Sequence, residues 1–221
     1  NLFSHIIGQI DDDNNGISGL EKSFDGRLKK IKEPLRLTVD ADIQFLVRKE
    51  LLRFNNVFQT KGSAAILMNI DNGNILSLVS LPDFDPNRRE NIKDKNYINK
   101  ITKGVYELGS VFKTFTLAAA LDENLIKVDT KFLDLEKSIN CGKNTIREYD
   151  KKIPKDLTAE EILIRSGNIG SVRIGQKIGV EKFKYFLTKI NVINKIEFDI
   201  DETGIPIPFK WGKCKLATTS F

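Results

Sequence analysis

Ser110-Val111-Phe112-Lys113 places a hydroxyl and an amine three residues apart, where the sequence turns into an apolar, alanine-rich run. If that run is a helix from Ser110 to about Leu121, the two side chains share one face, a turn apart. The amine then comes within hydrogen-bonding reach of the serine oxygen. A lysine whose pKa is depressed by burial and neighbours can take the serine proton in its neutral form, which makes the hydroxyl a nucleophile. A helix start also presents free backbone N–H groups and the positive end of the dipole, both suited to an oxyanion. Roughly fifty residues on, Ser166-Gly167-Asn168 offers a second hydroxyl and a carboxamide that can face one side. The hydroxyl can relay a proton to a leaving amine, and the amide can hold a substrate carbonyl.

Neither motif is specific alone. With eleven serines and roughly one residue in nine a lysine, about one Ser-x-x-Lys is expected by chance, and one is present. Ser-Gly-Asn is also ordinary loop chemistry. Context favours a site: Glu107-Leu108-Gly109 precedes the serine, and the apolar helix behind it must be central.

Other residues narrow the choice of base. His5 is the only histidine and lies near the terminus, so a histidine-based triad is not expected and lysine is the remaining candidate. Cys141 and Cys214 match no metal or redox spacing; they read as two buried or idle thiols, although an oxidising compartment would let them pair. Asp11-Asp12-Asp13-Asn14-Asn15-Gly16 lacks the downstream glutamate of a calcium loop. No metal and no cofactor are expected. Lysine and arginine (35) exceed aspartate and glutamate (30), a net charge of +5 that is spread along the chain. Its densest stretches, Lys29-Lys30-Ile31-Lys32 and Lys151-Lys152, are short and read as solvated surface, not as a nucleic-acid footprint. No run approaches the roughly 18 apolar residues of a membrane span. With Asn1 at its start and no signal peptide, the chain reads as a piece of a longer protein.

The positioning elements follow from periodicity. Residues up to about Pro34 read as turns and short irregular pieces. From Thr38, with Thr38 or Asp40 as cap, Ile43, Leu46, Val47, Leu51 and Phe54 recur at helical spacing. Ser63 to Ile70 and Ile75 to Ser80 are apolar runs joined through Asn72-Gly73, a hairpin signal. Both strands are apolar at most positions, which predicts helices on both faces. A loop from Pro82 to Asn87 and a polar stretch lead to Tyr106. Thr158-x-x-Glu161 is a capping box opening a short helix that stops near Ser166, and amphipathic stretches follow at Ser171 to Ile178 and Val180 to Ile190.

Taken together, Ser-x-x-Lys and Ser-x-Asn resemble two motifs of the penicillin-recognising serine enzymes, whose third is Lys-Thr-Gly. The resemblance runs along nearly the whole chain. His5-Ile6-Ile7-Gly8 and Gly16 to Phe24 are similar to the linker before a class B penicillin-binding transpeptidase domain, and Leu37 to Gln44 to the start of that domain. Leu81-Pro82-Asp83-Phe84-Asp85-Pro86-Asn87 and Tyr106-Glu107-Leu108-Gly109-Ser110 match further segments, and Leu216 to Phe221 resembles the approach to a Gly-x-Gly turn typical of the cell-division branch.

The resemblance implies an α+β fold, an antiparallel sheet with flanking helices as in beta-lactamases, incomplete here. It implies residues 1–35 as the end of a linker region and 36–221 as the first part of the transpeptidase domain. Carried over by motif, Ser110 is the acylated nucleophile, Lys113 its base, and Ser166 and Asn168 the second catalytic pair. The implied reaction opens a D-alanyl-D-alanine stem peptide of peptidoglycan, releases D-alanine and transfers the acyl group to an amine on a neighbouring strand. Beta-lactams would acylate the same serine. Implied too are the periplasmic face of an inner membrane, an upstream anchor, a glycan polymerase and divisome proteins as partners, and no nucleic acid. Leu108 stands where the family usually has proline, and Lys-Thr-Gly is absent from the sequence. Loss of one oxyanion donor costs about 10²–10³ in rate, so the fragment by itself is expected to be nearly inactive. A beta-lactamase or beta-lactam sensor domain, and a non-catalytic division scaffold, are the competing readings.

Overall fold

The computed structural model describes residues 1–31, 33–88 and 95–221 of the chain. They form two compact units, Asn1–Val105 with Lys195–Ile205, and Tyr106–Asn194 with Pro206–Phe221.

The first unit begins with short pieces: α1 (Ser4–Ile7), β1 (Gln9–Ile10), β2 (Gly16–Ser18), α2 (Gly19–Ser23) and α3 (Asp25–Leu28). In the aspartate-rich turn between β1 and β2, the Asp11 carboxylate accepts the Asp13 and Asn15 N–H groups at 3.0 and 2.7 Å, fixing the turn locally. Lys29 and Lys30 are exposed, and Lys29 pairs with Asp25 at 2.8 Å; Lys32 and 89–94 lie outside the described residues. Of the two candidate caps, Asp40 serves: its carboxylate accepts the Asp42 and Ile43 N–H groups and opens α4 (Ala41–Phe58).

A hairpin of β3 (Ser63–Met68) and β4 (Ile75–Leu81) follows, closed where the Asn69 N–H donates to the Asn74 carbonyl at 2.9 Å. Helix α4 is tied to β4 by one polar residue. Gln44, 1% exposed, donates to the Leu78 carbonyl at 2.8 Å while its own carbonyl accepts from Leu78 N and Ser77 Oγ. The apolar residues are distributed otherwise than predicted. Strand β4 is buried over most of its length, but Ile66, Leu67 and Met68 of β3 are exposed, as are Leu46 and Phe54 of α4. The expectation of cover on both faces therefore does not hold for β3. Strand period alone marks a residue as apolar without naming what lies on it.

The second unit carries the helical core. A 3₁₀ turn (Gly109–Phe112) runs into α5 (Lys113–Asp122). Next come β5 (Lys131–Phe132), the β6 (Ser138–Cys141) and β7 (Asn144–Arg147) hairpin, and β8 (Leu157–Thr158), which pairs antiparallel with β5. Helices α6 (Ala159–Ile164), α7 (Asn168–Ile178), α8 (Val180–Lys189) and α9 (Lys213–Thr219) complete it. Thr158 and Glu161 form the reciprocal capping box of α6. Helix α7 is the hub, packing on α5, α6, α8, α9 and β7. Ile162, Ile169, Val172, Ile174, Phe183 and Leu187 are fully buried around it. Each such side chain contributes about 1.5–3 kcal/mol of transfer free energy. The α6–α7 approach requires a bare Cα at Gly170, where a Cβ would stand 2.5 Å from Ile162 Cγ1.

Cys141 and Cys214 are joined as a disulfide, which corrects the reading of two idle thiols. Their Cα atoms lie 5.2 Å apart, within bridging range, although 73 residues separate them in sequence. Only packing of β6 beside α9 brings them together, and no spacing rule reports that. No helix among the described residues is long and apolar enough to cross a membrane.

Candidate active site

The four residues singled out by motif meet at one amine. Gly109, at φ 57°, turns the chain through the left-handed region that a side chain disfavours and delivers Ser110 into the 3₁₀ turn. Continuation into α5 then sets Lys113 one turn below it. Lys113 is 2% exposed, whereas Ser110 is open to solvent. The nucleophile candidate is thus accessible and its base candidate is sealed.

From the other side comes the α6–α7 junction. The Ser166 and Gly167 N–H groups donate back to Leu163 and Ile162 carbonyls, closing α6, and Ser166 takes φ 52°. A left-handed non-glycine residue costs about 1–2 kcal/mol, a strain of the kind that clusters at functional sites. It turns both oxygens of Ser166 onto the amine. Lys113 Nζ lies 2.6 Å from the Ser166 carbonyl, 2.9 Å from Ser166 Oγ, 2.7 Å from Asn168 Oδ1 and 3.1 Å from Ser110 Oγ. The Asn168 amide orientation is fixed from both ends, because Nδ2 donates to the Arg147 carbonyl at 2.8 Å.

The hydrogen-bonding capacities of amine and neighbours set what this arrangement can do. An ammonium has three protons for four oxygens. A neutral amine has two protons and a lone pair. Two neighbours, the Ser166 carbonyl and Asn168 Oδ1, can only accept. They match the two N–H groups of the neutral amine, and its single lone pair can then accept from one hydroxyl at a time, that of Ser110 or that of Ser166. The environment favours that form. Burial pushes the Lys113 amine below its ordinary value, and the nearby Glu148 carboxylate pulls it part of the way back.

Glu148 escaped the sequence reading. It follows β7 and accepts the Asn168 and Ile169 N–H groups at 2.6 and 2.9 Å. Its position well ahead of Ser166 fits no spacing rule. The sequence marks Leu216 to Phe221 by resemblance alone and not as a helix; Lys215 and Thr218 of α9 and Phe221 beyond it, with Glu107, Tyr149 and Ser110, border a cleft of about 580 Å³. Among the described residues no group of His, Cys, Asp or Glu could hold a metal ion.

Residues 63–221 match the penicillin binding protein transpeptidase domain, and the chain belongs to that family. It is 29% identical to the "Probable peptidoglycan D,D-transpeptidase FtsI" of Caulobacter vibrioides over 99% of its own length and 38% of that protein's. It is likewise 29% identical to the stage V sporulation protein D of Bacillus subtilis, over 100% of its length and 39% of that protein's. The chain thus spans about two fifths of these relatives. Among solved structures, penicillin binding protein 3 of Mycobacterium tuberculosis superposes with a TM-score of 0.84 at 24% identity, covering 98% of this chain and 51% of that one. A peptidoglycan synthetase of Bifidobacterium adolescentis gives 0.85 at 19% identity, covering 100% and 45%. The fold is α+β, that of penicillin-binding transpeptidase domains.

Proposed function

We propose that this chain is the nucleophile-bearing part of a peptidoglycan D,D-transpeptidase of the class B type. Residues 1–35 are the end of its linker region and 36–221 the first part of the transpeptidase domain. Neutral Lys113 takes the Ser110 proton as Oγ bonds to the carbonyl carbon of the penultimate D-alanine. The tetrahedral adduct collapses, the C–N bond breaks, and the proton passes from Lys113 through the Ser166 hydroxyl to the departing D-alanine amine. An acyl-serine remains. An acceptor amine attacks it, its proton returns by way of Lys113 to Ser110 Oγ, and the cross-link is released. Asn168 holds Lys113 through Oδ1 and keeps one N–H for the substrate, since its amide carries two and Arg147 takes one.

The observation that carries this reading is the sealed amine with two acceptor-only neighbours and two hydroxyls. Beta-lactams are proposed to acylate Ser110; the mycobacterial protein of the same fold has been solved with aztreonam and with ampicillin. The periplasmic face of the inner membrane, with an anchor outside these residues, is the proposed location. A disulfide suits an oxidising compartment. Septal synthesis beside a glycan polymerase and divisome proteins is proposed from the family resemblance of the sequence alone.

Mass spectrometry of the whole protein after a labelled penicillin tests the reading. The label is expected on the peptide holding Ser110 and absent from Ser110→Ala. A label elsewhere, or rapid hydrolytic turnover of nitrocefin in place of a lasting adduct, would sink it.

A further inference from the structure

The Lys113 arrangement depends on where α7 begins, and α7 has no cap of its own. Gly167 occupies the cap position without a side chain, so the first helical N–H groups need partners from elsewhere. Glu148 supplies them with both carboxylate oxygens, Oε2 to Asn168 N and Oε1 to Ile169 N. The preceding residue contributes the Arg147 carbonyl, which accepts Asn168 Nδ2. Two consecutive residues therefore grip the backbone and the side chain of Asn168 together. Charge-assisted bonds of this kind are about twice as strong as neutral ones.

We infer that Glu148 is a positioning residue for acyl transfer, clamping the start of α7 so that Asn168 and Ser166 hold Lys113 against Ser110. The inference rests on the transpeptidase reading. It adds that the carboxylate acts through Lys113 in two separable ways. Its geometry sets the rate reached at high pH, where the amine is fully neutral. Its charge sets where on the pH scale that neutrality arrives. Other titratable groups on or beside the elements packed around α5 and α7 include Arg147, Tyr149, Glu161, Arg165, Arg173 and Lys215. Glu148 is the charge that acts on Lys113.

Acylation needs the neutral amine, so its rate climbs as pH rises through the Lys113 pKa. Glu148 holds that pKa up against burial. Removing its charge lowers the pKa further, and the climb moves to lower pH.

The test is the acylation rate by a fluorescent penicillin against pH, on the whole protein, for wild type, Glu148→Gln and Glu148→Asp, with melting curves for each. Wild type must first label on Ser110; if it does not, the transpeptidase reading fails before this inference is reached. Glu148→Gln loses the charge and one N–H acceptor. Its plateau is expected to fall by about tenfold to a hundredfold, as for a misplacement of the order of 1 Å, with the climb displaced to lower pH. Glu148→Asp keeps the charge but draws it back, so its plateau should fall while the climb moves less than in Glu148→Gln. A climb unmoved in Glu148→Gln, or a full plateau in Glu148→Asp, overturns the inference. Should Glu148→Gln fail to fold, the plateau of Glu148→Asp still decides.

Discussion

Lys113 can take a proton only in its neutral form, whose two N–H groups meet the Ser166 carbonyl and Asn168 Oδ1 while its lone pair accepts from a hydroxyl, and this sets what substitutions there should do. Arginine keeps the positive charge but cannot give up a proton at any accessible pH. Lys113→Arg is expected to lower the acylation rate of Ser110 by about 10²–10⁴, the usual span of a lost general base. Stopped-flow labelling with a fluorescent penicillin measures it, and a rate within threefold of wild type would contradict a neutral Lys113 as the base. In the unaltered protein the same rate should rise with pH and level off below 10.5, the ordinary lysine value, because burial lowers the amine's pKa. The linked effect on stability has the same sign. Between the folded pKa and 10.5 the unfolded chain binds more protons than the folded one, so stability rises with pH across that window. Ser110 and Lys113 were legible from sequence because one helical turn fixes their relation. Glu148 was not, because its partnership with Asn168 is a contact between a strand end and a helix start.

Among the elements, the join of α4 to β4 rests on a buried amide instead of an apolar stripe. Gln44→Leu conserves much of the volume but strands Leu78 N, Leu78 O and Ser77 Oγ and also loses the bond to the Leu2 carbonyl. Each unpaired buried group costs about 1–3 kcal/mol. A loss of about 3 kcal/mol or more is expected in urea unfolding, and a loss under 1 kcal/mol would show that water or a neighbour replaces the amide. The sequence pattern found α4, the β3–β4 hairpin and helices α5 to α8 within a few residues, since local periodicity and capping chemistry decide them. It erred on which faces are covered. Leu46 and Phe54 have helical spacing yet remain exposed, because burial is decided by partners far along the chain. The two-residue strands β5 and β8 carry too few residues for any period to register.

For the molecule as a whole, the units cut across the family match. That match begins at Ser63, yet α4 lies before it and packs on β3 and β4 within the same unit. A polypeptide started at residue 63 would lack Gln44 and the helix that covers β4, and it should be less soluble than one started at residue 1. In the other unit the long-range constraint is the Cys141–Cys214 bridge. For a loop spanning 73 residues, chain entropy gives about 4 kcal/mol of stabilisation. Cys214→Ser is expected to lose a stability of that order in urea, and an unchanged midpoint would count against pairing in solution. The bridge also means that continuity of the backbone is not what keeps β6 with α9. A single protease nick anywhere between residues 142 and 213 should leave two pieces that travel as one band on a gel without reductant and separate once thiol is added.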